Sequence, residues 1–336
     1  MSLQRERVPV TVLTGYLGAG KTTLLNHLLS QPQARNSAVI VNEFGEISID
    51  AQLIVGVDEE ILEINNGCIC CTVRADLVAT IESLLARPQP IRRILIETTG
   101  LADPAPIIQS FILEERLRAA TELDALVTVV DARHNATWLA MGAADEQEGR
   151  ENTAREQIAF ADLLLLNKTD LVDEAGLLAC EAELRRINPL ARIGRMRDGA
   201  APADEVLNLR AFDLRNALRL EPQLLSDLSH QHAEDIGSVV VRPAGALDPD
   251  RFFRWLNSFV QVRGKDVLRL KGIVALAGER RRYVFHGVHM TLDGRPGRPW
   301  RDGESRQGEI VFIGRGLDSD TLQAQVEGCM AEPVLS

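Results

Sequence analysis

One nine-residue run limits what this chain can fold into: Gly15-Tyr16-Leu17-Gly18-Ala19-Gly20-Lys21-Thr22-Thr23. It fits G-x-x-x-x-G-K-[ST] without substitution, and its flanks fit as well. Val8 to Leu13 is a short β-branched apolar run that reads as a buried strand. Leu24-Leu25-Asn26-His27-Leu28-Leu29 is apolar at helical spacing. Strand, glycine turn and helix together form a phosphate cradle. Gly15, Gly18, Ala19 and Gly20 turn backbone N–H groups toward phosphate oxygens, and the helix N-terminus adds its partial positive charge. Lys21 is placed to reach the β- and γ-phosphates. The Thr22 hydroxyl is placed to ligate Mg²⁺, with Thr23 beside it in the first turn.

The segments downstream alternate between strand and helix patterns. Ser37 to Val41 reads as a strand ending in the acidic loop Asn42 to Asp50, which carries Glu43 and Glu46. Arg92 to Ile96 reads as another, ending in Glu97-Thr98-Thr99-Gly100. This has the shape of D-x-x-G with Glu in place of Asp: the carboxylate can hold Mg²⁺ and the Gly100 N–H can sense a γ-phosphate. Leu101 follows, where Ras-type enzymes carry a water-orienting Gln, so slow hydrolysis is expected. Ala125 to Val130 ends in Asp131. Asp162 to Leu166 ends in Asn167-Lys168-Thr169-Asp170, an N-K-x-D pattern. There Asp170 can accept from guanine N1–H and the exocyclic amine, while Asn167 and Lys168 brace the loop. Adenine lacks those donors, and an unpaired buried carboxylate discriminates against it. Helical periodicity over Val73 to Ala86 and Glu174 to Ile187, and a last strand at Ala191 to Met196, complete a mostly parallel sheet covered on both faces.

Three of the five cysteines fall within four residues, Cys68-Ile69-Cys70-Cys71, after a strand candidate at Glu60 to Ile64 and a turn at Asn65 to Gly67. In an extended segment Cys68 and Cys70 share a face; in a helical turn Cys68 and Cys71 do. Joint ligation by all three needs a turn. Thiolates favour soft or borderline ions such as Zn²⁺, and three leave one tetrahedral position open. An odd, clustered cysteine count argues against a disulfide framework and for a reducing cytoplasm.

Glu221 to Asp235 reads as a linker containing His230 and His232. The expected organisation is a nucleotide domain over 1–221, a linker over 222–235 and a second domain over 236–336. That second domain reads as a small α+β unit. A strand at Ser238 to Val241 precedes a helix at Pro249 to Val260. Strands at Val267 to Ala277 and Arg281 to His286 lead to a Gly/Pro-rich loop reaching Gly303. A strand at Glu309 to Ile313 and a helix at Ser319 to Met330 close it. The net charge of −11 speaks against a broad nucleic-acid surface, and no apolar run has the length of a membrane span.

Taken together, the phosphate loop, the N-E-F-G-E loop, C-I-C-C, E-T-T-G-L-A-D-P at Glu97 to Pro104 and N-K-T-D resemble the CobW-like family of P-loop GTPases. The resemblance implies a P-loop NTPase α/β domain with a smaller C-terminal α+β domain. It implies GTP hydrolysis coupled to handing over a transition metal, zinc most often, with Co²⁺ or Ni²⁺ in other members, to a client metalloprotein. It carries Lys21, Thr22 and Glu97 over as phosphate and Mg²⁺ residues and Asp170 as guanine reader. Cys68, Cys70 and Cys71 become thiol ligands, with Glu43 or Glu46 as oxygen ligands. A long histidine-rich linker is absent here, so a metal reservoir of that kind is not expected. Three rivals remain: a GTP-dependent switch or scaffold without metal delivery, a small-molecule kinase, and a redox sensor built on Cys68 and Cys70. Oligomeric state is open.

Overall fold

The computed structural model describes residues 7–43, 61–65, 71–88, 90–140, 153–212, 236–301 and 303–331, apart from the side chains of 42–43, 61–65 and 71–75. The chain divides into two compact units, Met1–Glu183 with Ala191–Phe212, and Leu184–Leu190 with Asp213–Ser336.

In the first unit, seven parallel strands form one sheet. They are β1 (Val8–Thr14), β2 (Ser37–Glu43), β3 (Ile61–Asn65), β4 (Arg93–Thr98), β5 (Thr121–Asp131), β6 (Leu163–Asn167) and β7 (Arg192–Arg195), in the order β3-β2-β4-β1-β5-β6-β7. Continuous apolar runs produce this arrangement, because helices cover both faces and the central strands are almost wholly shut away from water, while the edge strand β7 stays half-exposed. All of β4 and all of β6 are buried. The helix Lys21–Leu29 turns Leu24, Leu25, Leu28 and Leu29 into a core shared with Leu13, Val127, Val129 and Leu165.

Register aligns the carboxyl ends of the central strands. Leu13 pairs with Glu97, Thr14 with Thr128, Asn42 with Thr98, and Asp131 with Asn167. The chain passes from β1 over β4 to β2 and out to β3, then returns to β4 before crossing over β1 to β5. The order therefore reverses about β1, and a ligand crevice is expected at that edge.

In the second unit, β8 (Gly237–Val241), β9 (Val267–Ala275), β10 (Arg281–Val288), β11 (Thr291–Pro299) and β12 (Glu309–Gly314) form an antiparallel sheet in the order β11-β10-β9-β12-β8. The helices Pro249–Arg263 and Ser319–Glu327 pack on one face through Phe252, Leu256, Phe259, Leu322 and Val326. Each begins at an aspartate cap: Asp248 accepts from Arg251 N at 2.9 Å and Asp318 from Thr321 N at 2.8 Å. One sequence expectation fails here. The Gly/Pro-rich stretch before Gly303 is strand β11, joined to β10 by a two-residue turn in which His289 is left-handed, φ 49°. Pro296 and Pro299 are tolerated because β11 is an edge strand, where a missing N–H breaks no second ladder.

Candidate nucleotide-binding site

Gly15, Gly18 and Gly20 of the phosphate loop all have positive φ. Gly20, at φ 107°, also lies where a Cβ would strike the Asn167 amide. Only glycine satisfies both conditions. The Lys21 ammonium is buried and donates to Gly15 O at 2.9 Å and Tyr16 O at 3.3 Å. Its charge is therefore held at the rim of the loop.

Thr22 Oγ1 donates to Glu97 Oε1 at 2.7 Å. Glu97 is the last residue but one of β4 and is 2% exposed. A hydroxyl and a carboxylate in contact are hard oxygen donors of the kind Mg²⁺ takes alongside phosphate oxygens. This pair fits that ion. Gly100 presses on the phosphate loop: a Cβ there would lie 2.6 Å from Leu17 N and 2.7 Å from Leu17 Cα.

Asn167 braces the base loop to the phosphate loop. Its Nδ2 donates to Ala19 O at 2.9 Å, and its Oδ1 accepts from Gly199 N at 3.1 Å. Lys168 is left-handed, φ 58°, and its Nζ donates to Asp131 Oδ2 at 2.7 Å. Burial alone would raise the Asp131 carboxyl, but the Lys168 ammonium and the His134 hydrogen bond outweigh it and hold it below the usual carboxylate range. Thr169 Oγ1 donates to Met196 O at 3.1 Å, and Asp170 follows on the surface. Gly15 to Thr23, Glu97, Gly100 and Asn167 to Asp170 thus stand along one edge of the sheet.

Two residues here carry no motif. Gln157, buried in the helix Thr153–Phe160, donates from Nε2 to Gly100 O at 3.2 Å and Ala102 O at 3.1 Å. Asp131 closes β5 and meets Lys168. Nothing local marks Gln157, because its partners are main-chain carbonyls more than fifty residues away. Asp131 had one signal, its position at a strand end on the same sheet edge.

Of the thiol candidates, Cys68 and Cys70 lie outside the described residues, as does Glu46. Cys71 opens the helix Cys71–Leu85 and Glu43 ends β2; their side chains are not described. The strands that flank these residues are described. Glu43 pairs with Asn65, and the chain leaves β3 at that residue on the edge where β1 ends. At roughly 4.8 Å between strands, β3 lies about 14 Å from β1 across the sheet. Among the described residues no group of three or more His, Cys, Asp or Glu is arranged to hold a metal, and no helix is long and apolar enough to cross a membrane.

Two family models cover most of the sequence. Residues 9–195 match the CobW/HypB/UreG nucleotide-binding domain, and residues 236–330 match the cobalamin synthesis protein cobW C-terminal domain. The chain belongs to the CobW/HypB/UreG family. The zinc chaperone YjiA of Escherichia coli K12 is 36% identical over 326 residues, spanning 96% of this chain and 98% of YjiA. The zinc chaperone CobW of Pseudomonas aeruginosa is 34% identical over 353 residues, spanning 97% and 92%. A zinc-regulated GTPase metalloprotein activator of Dictyostelium discoideum is 31% identical, spanning 97% and 80%. The crystal structure of Zn(II)-bound YjiA GTPase superposes with TM-score 0.73 and 29% identity, covering 97% of this chain and 100% of that one. A YjiA variant with one glutamate and two cysteines changed to alanine superposes equally well and is itself Zn(II)-bound. The CobW-like resemblance, the P-loop α/β fold and the C-terminal α+β domain all hold.

Proposed function

We propose that this CobW-family chain hydrolyses GTP and handles zinc, using its nucleotide state to control binding and transfer of the metal to a client metalloprotein. The observation that carries this is the Thr22–Glu97 contact of 2.7 Å beneath the phosphate loop, with Asn167 bracing that loop to the base-reading segment. Lys21 would bind the β- and γ-phosphates. Thr22 and Glu97 would hold Mg²⁺, which supplies charge neutralisation at the transferring phosphoryl group. Gly100 would read the γ-phosphate and Asp170 the guanine edge. Hydrolysis is expected to be slow, since Leu101, 55% exposed, offers no group to orient water. Cys68, Cys70 and Cys71, with Glu43 or Glu46, would take zinc as cargo. The loops leaving β2 and β4 start side by side, so a change in one reaches the other, and reciprocity then makes zinc alter nucleotide affinity.

YjiA binds zinc even without two cysteines and a glutamate, so metal content alone does not test the cluster. GTP titration with and without Zn²⁺ does, run beside multiple-turnover phosphate release against a Lys21→Ala control. The expected result is release well above the control and a GTP affinity shifted about fivefold or more by zinc. Identical affinities would remove the coupling and leave a switch without metal delivery. Release no faster than the control would remove the hydrolase.

A further inference from the structure

A lysine that helps shape a base pocket must be held, because its stem has many rotamers and its head prefers water. In this chain the neighbours of Lys168 are fixed in other ways. Asn167 is tied on both sides by Ala19 O and Gly199 N, and Thr169 by Met196 O. The Lys168 side chain itself, one-third exposed, is tied by Asp131.

Asp131 uses both oxygens. Oδ1 accepts from Arg133 N at 2.9 Å and His134 N at 3.1 Å, closing the turn after β5. Oδ2 accepts from Lys168 Nζ at 2.7 Å and meets His134 Nδ1 at 2.9 Å. The carboxylate is 1% exposed, so water does not compete for it. Its reach continues through rings. His134 stacks on Trp138 with centroids 5.7 Å apart, and Trp138 meets Tyr16 of the phosphate loop at 5.0 Å.

We propose that Asp131 is the positioning residue of the guanine pocket: it holds the Lys168 ammonium so that the lysine stem lies flat as the surface against which the base rests. Asp131 acts on the nucleotide only through Lys168, and the assignment rests on the guanine-nucleotide reading above. With the ammonium anchored, the four methylenes of Lys168 present a fixed apolar strip beside the loop that carries Asp170. Without the anchor the head returns to water and the strip is lost.

The test is a double-mutant cycle on affinity for fluorescently labelled GDP, using the full chain. Asp131→Asn keeps the shape and the turn-closing acceptor but turns an amide N–H₂ toward the ammonium. Lys168→Met keeps an apolar stem and removes the head. Each single change is expected to weaken GDP binding about tenfold, and the double change to be no more than about threefold worse than the worse single, because both break one contact. For Asp131→Asn, KM for GTP is expected to rise about tenfold while kcat falls less than about threefold; general loss of structure would lower kcat as well. An Asp131→Asn affinity within about twofold of the unaltered protein, or single effects that multiply in the double variant, overturns the assignment alone. If the unaltered protein binds ATP analogues as well as GDP, the guanine reading falls and the assignment falls with it.

Discussion

In the proposed function, one carboxyl group, that of Glu97, would carry the negative charge of the Mg²⁺ site. Replacing it with Gln keeps its length and leaves an acceptor for Thr22 Oγ1, now 2.7 Å away. What disappears is the negative charge a divalent cation needs. Glu97→Gln is therefore expected to lower multiple-turnover GTP hydrolysis by about 10²-fold or more, the scale of removing one preorganised charge-stabilising group. GDP affinity measured without Mg²⁺ should hardly change, since the phosphate loop and base loop are untouched. A rate within about threefold of the unaltered protein would take Glu97 out of the reaction. At this scale the sequence is readable wherever chemistry requires one residue type at one spacing. Thr22 meeting Glu97 and Asn167 meeting Ala19 O are contacts between residues that the motifs name. Asp131 and Gln157 do not announce themselves, because each acts through a partner brought close only by the sheet.

Among the elements, the helix Thr153–Phe160 has the clearest mechanical role. Gln157 ties Gly100 O and Ala102 O to it, while Gly100 rests on Leu17 with no room for a Cβ. The E-T-T-G loop is thus gripped from two sides. Gln157→Ala strips the buried Gly100 carbonyl and the half-buried Ala102 carbonyl of their donor, and such a loss costs about 1–3 kcal/mol where water cannot replace it. Hydrogen exchange should show it directly. Backbone amides of 98–103 are expected to exchange at least tenfold faster in the variant, at roughly 1.4 kcal/mol per factor of ten, while β1 and β5 keep their protection. Unchanged exchange in 98–103 would mean that the Leu17 contact alone holds the loop. Element type was readable from sequence where burial dictated it. The parallel strands are continuous apolar runs, and the helix Pro249–Arg263 shows its start in Asp248-Pro249. Strand β11 was not readable, because Gly294, Pro296, Gly297 and Pro299 carry turn chemistry. Its pairing comes from the neighbouring β10 rather than from its own composition.

For the whole molecule, the question is whether the thiol segment and the nucleotide edge respond to each other. Thiol chemistry can ask it without disturbing either. Of five cysteines, Cys180 and Cys329 are buried, which leaves three, all between 68 and 71. Burial, with the Glu183 and Glu181 carboxylates, pushes the Cys180 thiol up to about 11. Burial raises Cys329 as well. Since the thiolate is the reactive form, only roughly one Cys180 in a thousand is reactive at pH 8, and burial restricts access further. In the folded, metal-free protein three thiols are therefore expected to react quickly with a chromogenic disulfide, and two only after unfolding. Zinc should mask the quick set. If nucleotide state reshapes the loops that leave β2 and β4, a non-hydrolysable GTP analogue should change the rate at which zinc-masked thiols reappear under a competing chelator, relative to GDP. The expected change is about fivefold or more, matching the coupling range that links two sites on one element. Equal release rates in the two nucleotide states would separate the thiols from the phosphate edge. The protein would then be a guanine-nucleotide binder whose cysteines serve some purpose of their own.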